Sequence, residues 1–327
     1  MVGGTVIAGK YRLESPLARG GMGSVWTARH VLLGTRLAIK FITPRTAGAE
    51  RARRRFEREA RTAALLQSRH VVRIHDYGVD GETPYLVMER LEGEDLAARL
   101  AARGRLSLPE TARIVTEVSR ALRRAAEASI VHRDLKPSNV FLAREDDDDG
   151  GGGEVVKVLD FGVAKAPCLD GDAAADGTET GSLLGSPRYM SPEQVRDSGA
   201  VDPRSDLWSL AVIAYRAITG AVPFSGSEPA EVILRVCRYR AVPPSEIAPE
   251  LGRDVDAFFA RALARDPGHR FQTAGELAQA FAAAAGEAPP CLASTPPPRL
   301  PSAASERSPA SRESLLRLAE LVAQGTP

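Results

Sequence analysis

The alternation of hydrophobic and polar positions divides the chain into a strand-rich first part and a helix-rich second part. From Tyr11 to about Leu91, the runs YRLESPLA, SVWTARHV, RLAIKFI and YLVMERL have strand-like patterns bounded by turn residues. One long basic stretch, AERARRRFEREARTAALLQ, interrupts them with apolar residues at helical spacing. The first part therefore predicts a small, mainly antiparallel sheet with one helix.

Helical periodicity dominates after the segment LEGEDL. The stretch LPETARIVTEVSRALRRAAEA has Pro109 near its predicted start and repeats apolar residues every three or four positions. SDLWSLAVIAYRAITG is apolar on nearly all sides, which is typical of a buried central helix. Three further helices are predicted from PAEVILRVCRY, VDAFFARALA and TAGELAQAFAAAAG. Residues 144–156, REDDDDGGGGEVV, predict a solvated acidic loop between two short strands.

Composition and charge narrow the classes of protein. The 327 residues are 43% hydrophobic and 26% charged, with a net charge of +1, so bulk electrostatics favour neither nucleic acid nor membrane as a partner. Cys168, Cys237 and Cys291 lie far apart and form no metal or disulfide pattern. The chain shows neither a leader peptide nor an uncharged apolar run of about 18 residues. We expect a cytoplasmic protein without a membrane segment or a nucleic-acid partner.

A glycine-rich turn and a lysine on an apolar strand are the first candidate chemistry. LARGGMGSVW places three glycines within four positions between two predicted strands, which is weak evidence when taken alone. Lys40 ends the apolar run LAIK, and a buried lysine requires an anion such as Glu59 on the following helix. Only five of the 43 basic residues are lysine, so a lysine is mildly informative about what its position needs.

Two short motifs in the second part add carboxylate and amide oxygens. In VHRDLKPSN, Asp134 can accept a proton from a hydroxyl group, and Asn139 can offer an oxygen to a divalent cation. Lys136 lies between them, where a positive charge can stabilise a transferring phosphoryl group. In KVLDFG, Asp160 at a strand end is a second oxygen ligand for Mg²⁺. Each residue alone has an ordinary structural explanation, but the combination indicates phosphoryl transfer.

These motifs, in this order, resemble the eukaryotic-type (Hanks-type) protein kinases. GGMGSV, GSPRYMSPEQ and RSDLWSLAVIAYRAITG are most similar to the bacterial serine/threonine branch, and the likeness covers residues 11–283. The resemblance implies an α+β bilobal fold, with a small antiparallel lobe over residues 11–91 and a larger, mainly helical lobe over residues 92–283. Residues 1–10 would be an N-terminal extension, residues 284–311 a Pro/Ser/Ala-rich linker and residues 312–327 a short amphipathic helix.

The resemblance also implies roles for individual residues in binding ATP. Lys40, held by Glu59, would contact the α- and β-phosphates, and Met88 would be the gatekeeper beside the adenine pocket. Backbone groups of Glu89 and Leu91 would face the adenine ring, so their side-chain identity would matter little. The remaining predicted nucleotide contacts lie on the glycine-rich turn and its flanking strands: Leu17, Ala18, Gly20, Gly21, Gly23, Val25 and Ala38.

For catalysis, the resemblance makes Asp134 the base and Lys136 the γ-phosphate contact, with Asn139 and Asp160 as ligands of Mg²⁺. The structural roles that it implies are a packed pair formed by His132 and Phe161, a brace by Asp206 under the catalytic loop, and an ion pair between Glu193 and Arg270.

Three positions depart from the family pattern. Ala18 replaces the first glycine of the turn, which predicts at most a modest effect on ATP affinity because Gly20 and Gly23 remain. Ser191 gives SPE in place of the commoner APE, and Ser186 stands where threonine is usual but keeps a hydroxyl group. No residue with a chemical role is missing.

The segment between Asp160 and Glu193 carries a regulatory hypothesis. Thr178 and Thr180 fall where similar bacterial kinases carry an autophosphorylated threonine pair, and Arg133 is a cation that a phosphate there could neutralise. The alternative is that both threonines are ordinary polar loop residues.

Two other functions are alternatives to a serine/threonine protein kinase. A pseudokinase acting as a nucleotide-binding scaffold should lack at least one of Lys40, Asp134, Asn139 or Asp160, and all four are present. A small-molecule phosphotransferase should lack Lys136 and the GSPRYMSPE segment, which favours a protein substrate here. The resemblance leaves a homodimer open, because back-to-back dimers are common among similar kinases.

Overall fold

A computed structural model describes residues 1–20, 23–42, 60–61, 63–145, 152–161, 187–196 and 201–287. These residues belong to one compact unit, Met1–Pro290, whereas the second unit, Cys291–Pro327, lies outside the described residues. The helix predicted from the basic stretch is described only near its end, where residues 60, 61, 63 and 64 are helical. Residues 288–311 of the predicted linker and the predicted amphipathic helix also lie outside the described residues.

The small lobe is built on an antiparallel sheet with the strand order β1-β2-β3-β4-β6-β5. The sheet begins before residue 11, because Ile7 is fully buried and pairs with Tyr11. Leu13, Ile39 and Val87 extend the same buried face across the central strands. The six strands are β1 Val6–Ile7, β2 Tyr11–Gly20, β3 Gly23–His30, β4 Arg36–Ile42, β5 Ile74–Asp80 and β6 Thr83–Glu89.

A second, three-stranded antiparallel sheet lies in the large lobe, with the order β7 (Gly93–Asp95), β8 (Val140–Glu145) and β9 (Gly153–Val158). The predicted strands on both sides of the acidic loop are therefore present, and residues 146–151 of that loop lie outside the described residues. The end of β9 is tied to the segment before β5, because Val158 exchanges backbone hydrogen bonds with His70 and Val72 at 2.8 and 3.1 Å. This contact fixes the position of the residues that follow Val158.

The helices of the large lobe surround one buried helix, α4, which carries Trp208 and Tyr215 with no exposed surface. Several helices begin at side-chain caps, as at Ser107 before α2 and Asp202 before α4. Among the residues that the structure describes, the helices of this lobe are α1 Leu96–Arg103, α2 Leu108–Glu127, α3 Pro192–Arg196, α4 Pro203–Thr219, α5 Pro229–Arg238, α6 Pro244–Ile247, α7 Gly252–Ala262 and α8 Ala274–Ala284. The predicted bilobal α+β fold is confirmed.

The segment from residue 187 to residue 196, which includes α3, is anchored by the predicted Glu193–Arg270 ion pair. Arg270 donates to both carboxylate oxygens at 2.8 Å, and Ser205 donates to Oε1 at 2.7 Å. Burial raises the pKa of Glu193, but the hydrogen bonds from Arg270 and Ser205 outweigh it and hold the pKa at about 2. The Arg270 guanidinium also lies 4.8 Å from the Trp208 ring centroid, so the anchor reaches the core of the lobe.

Within the described ranges, no helix has both the length and the apolar character needed to cross a lipid bilayer.

Candidate active site

Lys40 and Asp160, 120 positions apart in sequence, meet at the junction of the two lobes. The Lys40 Nζ atom lies 2.7 Å from Asp160 Oδ2, and neither side chain is more than 28% exposed. Lys40 comes from β4, where it pairs with Val25 and Leu86 of the neighbouring strands. Glu59, the predicted partner of Lys40, lies outside the described residues. The lysine therefore has an anionic partner in Asp160, as burial of its charge requires.

The loop that carries Asp134 brings the three predicted catalytic and metal-binding side chains together. Lys136 Nζ lies 3.0 Å from Asp134 Oδ2, which places a cation directly beside the predicted base. Asn139 Nδ2 donates to the backbone oxygen of Asp134 at 2.8 Å. This hydrogen bond uses the nitrogen of the Asn139 amide and leaves its Oδ1 as the atom available to a cation.

His132 links this loop to the strand end that carries Asp160. His132 Nε2 lies 2.8 Å from the Leu159 carbonyl, and His132 Nδ1 accepts from the Asp134 amide at 3.2 Å. These partners place a ring proton on Nε2, because Nδ1 acts as an acceptor. The His132 and Phe161 rings pack edge to face at 4.8 Å, and the Leu159 amide donates to the Asn139 carbonyl at 2.9 Å. The two motifs are therefore one hydrogen-bonded unit.

Asp206 holds the backbone of the loop that carries Asp134. Its two carboxylate oxygens accept from the His132 and Arg133 amides at 2.7 and 2.9 Å. Burial raises the pKa of Asp206, and the two amide donors oppose that effect. Asp206 lies in the first turn of α4, so the most buried helix of the large lobe fixes the loop.

A small apolar cluster next to Lys40 contains four of the residues predicted to contact adenine. Ala38, Val72 and Met88 are buried together, and Val25, Leu91 and Leu159 pack against them. Val72 and Leu159 are members of this cluster that sequence reasoning missed. Both lie in short connecting segments where no periodic pattern marks a buried residue, although Leu159 directly precedes Asp160.

The glycine-rich turn is described on both sides of residues 21 and 22, so Gly21 lies outside the described residues. Gly20 pairs with Gly23 and Ala18 with Val25 across strands β2 and β3, while Leu17 is half exposed. Gly23 has a φ of +140°, and a Cβ atom there would lie 1.9 Å from the Phe41 carbonyl oxygen. Contact between strands is therefore one reason for glycine at this position, beside the predicted approach to phosphate.

The Glu89 side chain has partners that the sequence did not indicate. It accepts hydrogen bonds from the Arg73 amide at 2.8 Å and from Lys157 Nζ at 2.8 and 3.1 Å. The Leu91 amide donates to none of the described residues. The end of β6 is thus held by the side-chain contacts of Glu89.

The predicted Mg²⁺ ligands fit a magnesium ion in type and number. Within the described part of the chain, no group of three or more His, Cys, Asp or Glu side chains forms a metal site. Asn139 and Asp160 supply one amide oxygen and one carboxylate on linked segments. Mg²⁺ is commonly bound by one or two protein oxygens together with substrate phosphates and water, so this sparse set is compatible with it. Thr178 and Thr180 lie outside the described residues.

A two-lobed α+β fold with a lysine–aspartate pair beside an Asp-x-Lys-x-x-Asn loop defines the protein kinase class. The family model described as protein kinase domain matches residues 11–281, and the chain belongs to this family.

The relatives are bacterial serine/threonine-protein kinases. PknA of Mycobacterium tuberculosis is 37% identical over 301 residues, which cover 90% of this chain and 66% of PknA. A probable serine/threonine-protein kinase of Corynebacterium efficiens is 37% identical over 281 residues, 84% of this chain and 41% of that protein. The crystal structure of the PknI kinase domain of M. tuberculosis superposes with a TM-score of 0.69 at 29% identity, covering 88% of this chain and 99% of that one. The chain spans 66% or less of the length of these two curated relatives.

Proposed function

We propose that this chain is a serine/threonine protein kinase that transfers the γ-phosphoryl group of Mg-ATP to hydroxyl groups of protein substrates. The observation that carries this proposal is the linkage of Asp134, Lys136 and Asn139 to the Lys40–Asp160 pair. The predicted base, the predicted phosphate-binding cations and the predicted metal ligands all lie on one connected framework. The names of the relatives support serine and threonine as the acceptors.

The residues of this framework have distinct roles in phosphoryl transfer. The Asp134 carboxylate accepts the proton of the attacking hydroxyl group, and Lys136 beside it stabilises negative charge on the phosphoryl group. Lys40 binds the α- and β-phosphates while staying close to Asp160. Asn139 Oδ1 and the Asp160 carboxylate would hold Mg²⁺, which when bound neutralises charge on the phosphates. The apolar cluster around Ala38 and Met88 would receive the adenine ring.

The intact mass of the purified protein, measured before and after incubation with Mg²⁺ and ATP, tests this proposal. We expect the wild type to gain one or more phosphate groups and Asp160→Asn to gain none. If neither protein gains phosphate, casein is added as a generic protein acceptor. No transfer to casein by the wild type, combined with nucleotide binding, would move the assignment to a pseudokinase scaffold.

Autophosphorylation at Thr178 or Thr180 is the regulatory part of the proposal. Arg133 directly precedes Asp134, and its guanidinium is a cation that a phosphate on either threonine would neutralise. We expect the double variant Thr178→Ala, Thr180→Ala to transfer phosphate to casein at least about tenfold more slowly than the wild type. Unchanged transfer by the double variant would reject this regulation and leave the kinase assignment intact.

We further propose a cytoplasmic location, because the proposed reaction consumes ATP, and a homodimer formed through the small lobe. The turn between β3 and β4 presents Leu32 and Leu33 with 88% and 73% of their surface exposed. Two exposed leucines at one turn favour contact with another apolar surface. Sedimentation of the wild type and of Leu32→Ser, Leu33→Ser tests this part: loss of a dimer only in the variant supports it, and a monomeric wild type rejects it.

A further inference from the structure

The Arg133 peptide, directly before the predicted base, has an uncommon backbone conformation. Arg133 has a φ of +64°, in the left-handed region that residues with a side chain rarely adopt. Such a conformation costs free energy and persists only where the surrounding contacts impose it. The direction of the Asp134 side chain depends on this turn of the backbone. The contacts on the two polar groups of Arg133 therefore help to set where Asp134 points, together with the contacts of Asp134 itself.

Asp206 satisfies only one of these groups, the Arg133 amide. The Arg133 carbonyl oxygen accepts a hydrogen bond from the side chain of Gln194, whose Nε2 lies 2.8 Å away. The peptide is thus held at its amide by α4 and at its carbonyl by α3. Removing the Gln194 contact would leave the Arg133 carbonyl without its side-chain donor, while the Asp206 contact to the Arg133 amide remains.

The orientation of the Gln194 amide is set by its other end. Its Oε1 accepts from the Ser191 amide at 3.1 Å and from the Ser191 hydroxyl at 3.3 Å. An amide flipped by 180° would oppose donor to donor at Ser191 and acceptor to acceptor at Arg133. Only one orientation satisfies all partners, so the donor toward the loop is fixed.

Gln194 belongs to a segment that is firmly anchored to the core of the large lobe. Its neighbour Glu193 is held by both guanidinium nitrogens of Arg270, which in turn lies against Trp208 in the core. A side chain supported in this way can impose a geometry on its partner instead of following it.

We propose that Gln194 is a positioning residue for the catalytic base. Its amide holds the left-handed Arg133 peptide and so directs the Asp134 carboxylate toward the hydroxyl group of the substrate. This inference rests on the kinase function proposed above and adds to it a residue that acts through the backbone without touching the reacting atoms.

Two variants separate the hydrogen bond from the size of the side chain. Gln194→Glu keeps the shape but places an oxygen against the Arg133 carbonyl, and Gln194→Met keeps the length without any donor. Gln272→Glu is the matched control, because Gln272 Nε2 also donates to a backbone carbonyl, that of Arg270, at 2.8 Å. The control tests whether loss of such a bond elsewhere in the lobe has the same effect.

The first measurement is steady-state phosphorylation of casein with ATP varied. For both Gln194 variants we expect kcat to fall about tenfold with the KM values for ATP and casein within about threefold of the wild type, because the base is misdirected while the binding sites remain. Gln272→Glu should keep kcat within about twofold. A kcat within about twofold of the wild type in both Gln194 variants, or an equal loss in Gln272→Glu, would overturn the proposal.

The second measurement does not depend on activity. Hydrogen–deuterium exchange of the peptide that covers residues 130–139 reports on the Arg133 and Asp134 amides without nucleotide. We expect exchange at least about fivefold faster in Gln194→Glu and Gln194→Met, and unchanged exchange in Gln272→Glu. If the wild type transfers no phosphate, the kinase proposal fails by itself, and this exchange rate still decides whether Gln194 holds the loop.

Discussion

Lys157 and Glu89 form an ion pair that ties the end of strand β6 to strand β9. Lys157 Nζ lies 2.8 Å from Glu89 Oε1, and the side chains are 13% and 25% exposed. The Arg73 amide donates to the same carboxylate oxygen, so Glu89 joins three separate segments of the chain. The proposed adenine contacts are the backbone groups of Glu89 and Leu91. The Lys157–Glu89 pair therefore fixes the segment that would bind adenine.

Replacing this lysine should weaken nucleotide binding more than catalysis. We expect Lys157→Met to raise the KM for ATP by about three- to tenfold while kcat stays within about twofold. The variant loosens the segment that would bind adenine in both the ground state and the transition state, whereas the catalytic base and the metal ligands keep their positions. The control is Lys10→Met, which removes a lysine–aspartate pair on the surface, 3.4 Å from Asp76. Equal KM values in the two variants would show that the Glu89 contact does not support the nucleotide site.

The sequence alone indicates those functional residues whose chemistry is unusual for their position. Lys40 stands out because a lysine on an apolar strand needs an anion, and the structure supplies Asp160. Lys136 and Asn139 stand out because a cation and an amide oxygen near Asp134 suit phosphoryl transfer, and both side chains contact Asp134. The sequence gives no indication of a role for Val72 or Gln194. An ordinary apolar or amide side chain gains its role only from the neighbours that the fold brings near. The side-chain partners of Glu89 were not indicated for the same reason.

At the scale of elements, the close approach of β3 and β4 places Lys40 relative to the glycine-rich turn. Gly23 pairs with Ile42, and its missing side chain leaves room for the Phe41 carbonyl, which is adjacent to Lys40. A methyl group at position 23 must push β4 away, because the contacted atom belongs to the backbone. The turn and the lysine would then separate.

We therefore expect Gly23→Ala to lower the melting temperature and to weaken ATP binding by about tenfold. Gly34→Ala is the matched control, because Gly34 also has a positive φ, +70°, but a Cβ atom there meets nothing within 4 Å. Gly34→Ala should lose only the unfolding free energy that a positive φ costs a residue with a side chain, about 1 kcal/mol. Thermal unfolding and nucleotide titration of both variants measure the difference, and equal losses would assign the whole effect to the backbone conformation.

The elements themselves were predicted to different degrees. The helix expected at LPETARIVTEVSRALRRAAEA is observed as Leu108–Glu127, because a capping serine, an early proline and strong periodicity agree. Strand β5, Ile74–Asp80, was missed because IHDYGVD holds two aspartates, a histidine and a glycine. Its polar residues are used in tertiary contacts, such as the hydrogen bond from Tyr11 to Asp76 at 2.8 Å. A local pattern cannot reveal a strand that is stabilised in this way.

At the scale of the whole molecule, the Glu193–Arg270 pair joins the segment of residues 187–196 to the helical core. Arg270 is 1% exposed and Glu193 11%, so loss of the carboxylate charge leaves a buried guanidinium with weaker partners. Breaking a buried pair of this kind costs about 3 kcal/mol of unfolding free energy. We expect Glu193→Gln to lose about that amount at pH 7, with Glu231→Gln, at an exposed pair on α5, close to the wild type.

The pH dependence of this loss distinguishes the ion pair from simple packing. The pKa of Glu193 falls from 4.5 to about 2 on folding, so its stabilisation is complete well above pH 4.5 and disappears as the pH falls toward 2. The difference in unfolding free energy between the wild type and Glu193→Gln should therefore be constant from pH 8 to pH 6 and shrink below pH 4.5. Urea unfolding of both proteins across that range gives the measurement. A difference that stays constant down to pH 3 would mean that the carboxylate charge contributes nothing and that shape alone anchors the segment.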